Sequence, residues 1–135
     1  MPPNAPHLPL SKKLGIKPGH MLIMLHAPQS VMATLGAEVT QVMMQQTPGT
    51  DADIVHAFVT SKKDLDESFV SLRNQIARHG ALWISWPKKS SGMETDLSEK
   101  VIRDIGMHNH LTDVKVCSVD DIWSGIKFVY RLKDR

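Results

Sequence analysis

Three short, largely apolar runs, at residues 21–25, 54–59 and 81–86, constrain the fold of this chain most tightly. Each is too short for an ordinary helix and carries no regular polar alternation, the mark of a strand covered on both faces. Between the second and third runs, Leu65, Phe69, Leu72 and Ile76 recur at spacings of four, three and four, which places one apolar stripe along a helix. Buried strands alternating with helices require a mainly parallel sheet with right-handed crossovers and helices on both faces. The expected fold class is therefore α/β, a Rossmann-like three-layer domain with a sheet of about six strands.

The remaining elements follow from local signals. Pro18-Gly19 marks a turn into the first strand. A short helix is predicted over 30–35, stopped by Gly36, and an edge strand over 38–43, where Val39, Gln41 and Met43 alternate without a clear apolar face. Ser61 with Asp64 resembles a capping box at the start of the striped helix, and Gly80 after Arg78-His79 predicts its end. Asp96 with Glu99 predicts a further helix start, with Leu97, Val101, Ile102 and Ile105 facing inward and an end near Gly106. Two last strands, 114–119 and 126–131, are joined by a short connection containing Ser124-Gly125 and are expected to pair antiparallel.

Residues 1–10 carry Pro2, Pro3, Pro6 and Pro9, which predict a flexible or polyproline-like tail ahead of a single domain over 11–135. No apolar stretch approaches the roughly 20 residues of a membrane span, and none near the N-terminus fits a signal peptide. The lone cysteine, Cys117, has Val114, Val116 and Val119 as neighbours and is expected to be a buried thiol in a reducing compartment. A cytoplasmic protein is the expectation. Sixteen basic against fourteen acidic residues, mixed along the chain, give a net charge of +2 without the basic stripe of a nucleic-acid binder. Neither nucleic acid nor membrane is expected as a partner.

The order of these elements is similar to that of class I S-adenosylmethionine methyltransferases. The likeness runs through residues 14–19 before the first strand, the 51–58 strand, Gly80-Ala81-Leu82 after the long helix and the terminal strand pair, nearly all of 14–132. The chain also resembles a small bacterial family, a domain of unknown function, marked by Trp86-Pro87-Lys88-Lys89-Ser90-Ser91-Gly92 and by Val114-Lys115-Val116-Cys117 with Trp123-Ser124-Gly125. The first resemblance implies a truncated methyltransferase fold. The second implies no particular activity.

In open α/β sheets ligands bind beyond the carboxyl ends of the strands, where strand order reverses. That crevice would be lined by residues 26–30, 60–63 and 86–92. A dinucleotide or methyl-donor site needs glycines after the first strand and an acid after the second. Here His26-Ala27-Pro28-Gln29-Ser30 and Met43-Met44-Gln45-Gln46 stand instead, so no cofactor is predicted. The loop with Lys88, Lys89, Ser90, Ser91 and Gly92 offers ammonium groups, hydroxyls and backbone donors that suit a small anion or nucleotide. It lacks the order of a Walker loop, and the same residues also make an ordinary solvated turn. Thr60 and Ser61 open a helix N-terminus that attracts anions or is simply capped. Trp86 precedes Pro87, and a cis bond there would orient the lysines.

His26, at a strand end, is a candidate base or polar anchor. His56, inside a strand, is expected to be a satisfied core histidine, and His108 with His110 lacks the further ligands a metal needs. No metal site is predicted. Asp120 and Asp121 are an acid pair that either does acid-base work or forms a solvated turn. Ser90 and Ser91 have no nucleophile-elbow context. The leading expectation is a non-catalytic or regulatory module binding a small anion or nucleotide through His26, Thr60, Ser61, Trp86 and the 88–92 loop. The alternatives are a protein-interaction or self-associating domain and an enzyme using His26 or Asp120 and Asp121.

Overall fold

A computed structural model describes residues 8–135. The predicted tail lies mostly outside the described residues, and its last member, Leu10, instead opens the short helix α1 (Leu10–Leu14) and is buried. The strands are β1 (Met21–Leu25), β2 (Met43–Gln45), β3 (Ala52–Phe58), β4 (Ile76–Pro87), β5 (Leu111–Ser118) and β6 (Trp123–Tyr130). The longer helices are α2 (Gln29–Glu38), α3 (Lys62–Gln75) and α4 (Glu99–His108). One six-stranded sheet has the order β2-β1-β3-β4-β6-β5. The first four strands are parallel, and β6 runs antiparallel to both β4 and β5. The expected α/β class, mainly parallel sheet and antiparallel closing pair are all present.

The two-residue period of the strands divides the core between two faces. Ile23, Leu25, Val55, Ala57, Leu82, Ile84, Trp86, Ile126 and Phe128 pack against Leu65, Phe69 and Leu72 of α3 and Ile102 and Ile105 of α4. Leu22, Met24, Ile54, Phe58 and Trp83 pack on the other side, against Leu10 and Leu14 of α1 and Val31 and Leu35 of α2. The indole N–H of Trp83 donates to the Leu14 carbonyl at 3.1 Å, tying α1 to the middle of the sheet. Gly106 lies where α4 crosses β6: a Cβ there would stand 2.1 Å from the Phe128 ring, so only glycine allows this approach.

Several boundaries differ from the sequence expectations, for physical reasons. Gly36 does not stop α2, because it is not in the left-handed conformation a terminating glycine adopts; the helix runs on to Glu38. The second strand begins only at Met43, after the chain turns at Gln41 with φ 58°. It is, as expected, an edge strand. Gly80 does not close α3. The helix ends at Gln75, Ile76 pairs with Ala52, and Gly80 sits where the β3–β4 register shifts to Ile54↔Ala81. A Cβ on Gly80 would meet the Ala52 carbonyl at 2.7 Å and that of Asp53 at 2.9 Å. The α4 cap is Ser98, whose hydroxyl accepts the Val101 amide, rather than Asp96, and α4 passes Gly106 to end at His108. Val114 and Val116 are exposed and Cys117 is half-buried, so the thiol is less enclosed than its neighbours implied. Burial nevertheless pushes it up from its ordinary range, against the pull of Lys115 and Lys13. Among the described residues no helix is long and apolar enough to cross a membrane.

Candidate functional site

The register of the parallel strands sets three chain ends at one level. Leu25 pairs with Ala57, and Phe58 with Ser85, so the segments after β1, β3 and β4 leave the same edge of the sheet. After β1 the chain turns sharply: His26 is exposed with φ 58°, in the left-handed region that disfavours a residue with a Cβ. Pro28 then occupies the N-cap of α2 and supplies no side-chain cap.

The segments after β3 and β4 meet. Thr60, Ser61, Lys89, Met93, Glu94, Thr95 and Asp96 line a cavity of about 660 Å³. The Thr95 hydroxyl donates to the Thr60 carbonyl at 2.6 Å and accepts the Leu97 amide at 3.1 Å, which clamps the two segments together. Ser61 caps α3 by accepting the Asp64 amide at 3.1 Å, as its spacing predicted. The Asp96 carboxylate accepts the Lys62 amide at 2.8 Å. The chain thus supplies its own anion to the N-terminus of α3.

Of the predicted site residues, Thr60, Ser61 and Lys89 line this cavity together; the others do not. Trp86 lies 7% exposed in the core on the α3/α4 face, in step with Leu82 and Ile84. The two-residue period of β4 already carried that signal. Lys88 reaches the other way, its ammonium donating to the Ser118 hydroxyl at 2.6 Å. The Ser91 hydroxyl is spent on its own loop, donating to the Lys88 carbonyl and accepting the Met93 amide. Lys89–Ser91 forms a 3-10 turn closed by Gly92 at φ 78°, with Ser90 exposed. The Trp86–Pro87 bond is trans, which removes a cis bond as the device that aims the lysines.

Asp120 and His108 make local backbone contacts. One Asp120 carboxylate oxygen accepts the Ile122 and Trp123 amides at 2.9 and 2.8 Å, holding the β5–β6 turn, while Asp121 is exposed. His108 contacts the Asp104 carbonyl through Nδ1. Among the described residues no three His, Cys, Asp or Glu side chains come together as a metal site would require.

His56 is the most perturbed group. It is fully buried, stacked on Phe58 at 4.3 Å, and its Nε2 shares a 2.6 Å hydrogen bond with the Ser85 hydroxyl. Its Nδ1 has no partner, so it is only half satisfied, not fully as expected of a core histidine. Burial pushes its pKa down to about 3, which keeps it neutral at physiological pH. A histidine inside a strand is legible from the residues, but nothing local marks Ser85, on the neighbouring strand, as its partner.

No protein-family model matches the chain, and no curated protein matches it. The resemblance to a family marked by residues 86–92 therefore gains no support. Solved structures do match. A SAM-dependent methyltransferase from Aquifex aeolicus superposes with a TM-score of 0.60 at 12% identity, over 87% of this chain and 85% of the other. Magnesium protoporphyrin IX methyltransferase from Synechocystis PCC 6803, solved with bound SAH, gives 0.62 at 13% identity, over 90% and 78%. A TehB-like SAM-dependent methyltransferase from Corynebacterium glutamicum gives 0.57 at 7% identity, over 90% and 85%. At such identities the likeness defines the fold alone: the chain has the Rossmann-like fold that these methyltransferases share.

Proposed function

We propose that the chain is a non-catalytic ligand-binding module that keeps the methyltransferase architecture without its methyl donor. The observation that carries this reading is the cavity between the β3 and β4 loops, where Thr60, Ser61 and Lys89 converge with Glu94, Thr95 and Asp96. Its single ammonium group beside two carboxylates favours a small ligand with one negative charge and hydroxyl or amine groups, such as a nucleoside-like acid. A polyphosphate would be repelled by Glu94 and Asp96.

The rival reading, methyl transfer, rests on the fold shared with the SAM-dependent enzymes. The residues after β1 do not fit that cofactor. A close backbone approach needs small residues and free donors, and this turn has the His26 side chain, the Pro28 ring and a missing N–H. Self-association through β2 is a further reading, favoured by its edge position and by Met43, which is 70% exposed. Solution mass tests it: a concentration-independent monomer excludes it.

The binding test is a thermal-shift and NMR screen with nucleosides, nucleotides and hydroxy acids. A ligand of this class should raise Tm and shift Thr60, Ser61 and Lys89 resonances, and Lys89→Ala should weaken it about tenfold. Ligands that move only residues elsewhere would refute this site.

A further inference from the structure

A second cavity, about 360 Å³, opens at the opposite edge of the sheet, and its walls come from distant parts of the chain. Because β6 runs antiparallel to β4, its last residue, Tyr130, returns to the amino edge of the parallel strands, followed by Arg131. There they meet Arg73 at the end of α3, Arg78 in the first part of β4, and Lys133 and Asp134 in the closing turn.

Three of the five arginines in the chain line this one basin. Among the described residues, the six ion pairs involve none of Arg73, Arg78, Arg131 or Lys133. The guanidinium groups hold themselves in place on main-chain carbonyls instead: Arg73 on Asn109, Arg78 on Asp134 and Arg131 on Met107. Each guanidinium carries five N–H donors, so these contacts orient the groups without neutralising them or using up their donors. Arg78 also lies 5.7 Å from the Tyr130 ring centroid, a stacking that stiffens the wall. The Tyr130 hydroxyl donates to the Arg73 carbonyl at 3.0 Å, which couples the α3 end to β6. Four cations face one carboxylate, Asp134, in a concave space of small-ligand size.

We infer that this basin binds a small phosphorylated molecule carrying at least two negative charges. Forked guanidinium groups match the oxygen geometry of a phosphoryl group and hold it bidentately, and a cavity of this volume fits one or two phosphoryl groups with a compact organic body. The site lies at the other pole from Lys89 and is independent of the function proposed above.

The test is an NMR and calorimetric titration of the full chain with pyrophosphate, and in parallel with inorganic phosphate. Saturable one-to-one binding of pyrophosphate, tighter than that of phosphate and centred on Arg73, Arg78 and Arg131, is expected. Arg131→Ala should weaken it about tenfold and Arg131→Lys, which keeps the charge and loses the fork, by about threefold. Asp134→Asn should tighten it, and Lys89→Ala should leave it unchanged. Thermal melts of each variant separate lost folding from lost binding. Absence of saturation up to about 10 mM pyrophosphate would overturn the inference. So would equal losses from Lys89→Ala.

Discussion

The Asp96 carboxylate rests on the Lys62 amide at 2.8 Å, joining the loop before α4 to the first residue of α3. A helix N-terminus that a fold of this type would otherwise offer to a ligand anion is served from within. Asp96→Ala should remove this hydrogen bond and its favourable interaction with the helix dipole, at a cost of about 1 kcal/mol in urea unfolding. Asp96→Asn, which keeps an acceptor, should cost about half as much. An unchanged midpoint for Asp96→Ala would show that the contact contributes nothing.

His56 makes stability depend on pH. Its folded pKa is pushed down to about 3, while the unfolded chain takes the proton near 6.5. Between those values the unfolded state binds the extra proton, so stability from this group is fully present above pH 6.5 and falls as pH drops toward 3. The slope approaches about 1.4 kcal/mol per pH unit. Urea unfolding at pH 7.5 and 5.5 checks it against the double variant His56→Phe with Ser85→Ala, whose dependence should be flatter. A His56 imidazole NMR signal titrating near pH 6.5 in the native protein would contradict the burial argument.

Gly106 should tolerate no side chain. In Gly106→Ala the new methyl would overlap the Phe128 ring, and forcing α4 from β6 should destabilise the fold by about 2 kcal/mol. Gly36→Ala is the control: nothing lies within 4 Å of its Cβ position, and a better helix former should raise stability by up to about 1 kcal/mol.

Tyr130→Phe removes the hydroxyl that caps the Arg73 carbonyl at the end of α3. A loss of about 1 kcal/mol in chemical denaturation is expected, with faster hydrogen exchange confined to the last turn of α3 and the start of β4. Exchange that speeds up evenly across the sheet would contradict this local role.

The architecture was legible where the signal was local and repeated. Leu22, Ile23 and Met24 leave no polar face, and the spacing of Leu65, Phe69 and Leu72 allows one helix stripe. Features that depend on distant partners were not. Gly80 after two basic residues looks like a helix stop, yet Ile76 is drawn into β4 by pairing with Ala52. Asp96 has the spacing of a cap, but its carboxylate is claimed by Lys62, which leaves Ser98 to cap α4. The same holds for the candidate site. Adjacent lysines at 88 and 89 read as one anion cradle in the sequence, yet the extended backbone at Lys88 sends its ammonium to Ser118, 30 residues away, while Lys89 lines the cavity with Thr60 and Ser61. The basic basin could not be seen in composition, because its members come from α3, β4, β6 and the final turn.

Titrating the full chain with S-adenosylmethionine and S-adenosylhomocysteine in an isothermal calorimeter, with NMR following His26, Ala27 and Gln29, shows whether this methyltransferase architecture takes the methyl donor. No saturable heat and no shifts at those residues are expected up to about 1 mM, a concentration at which even weak binding of millimolar Kd registers. Saturable one-to-one binding that moves the segment after β1 would contradict it.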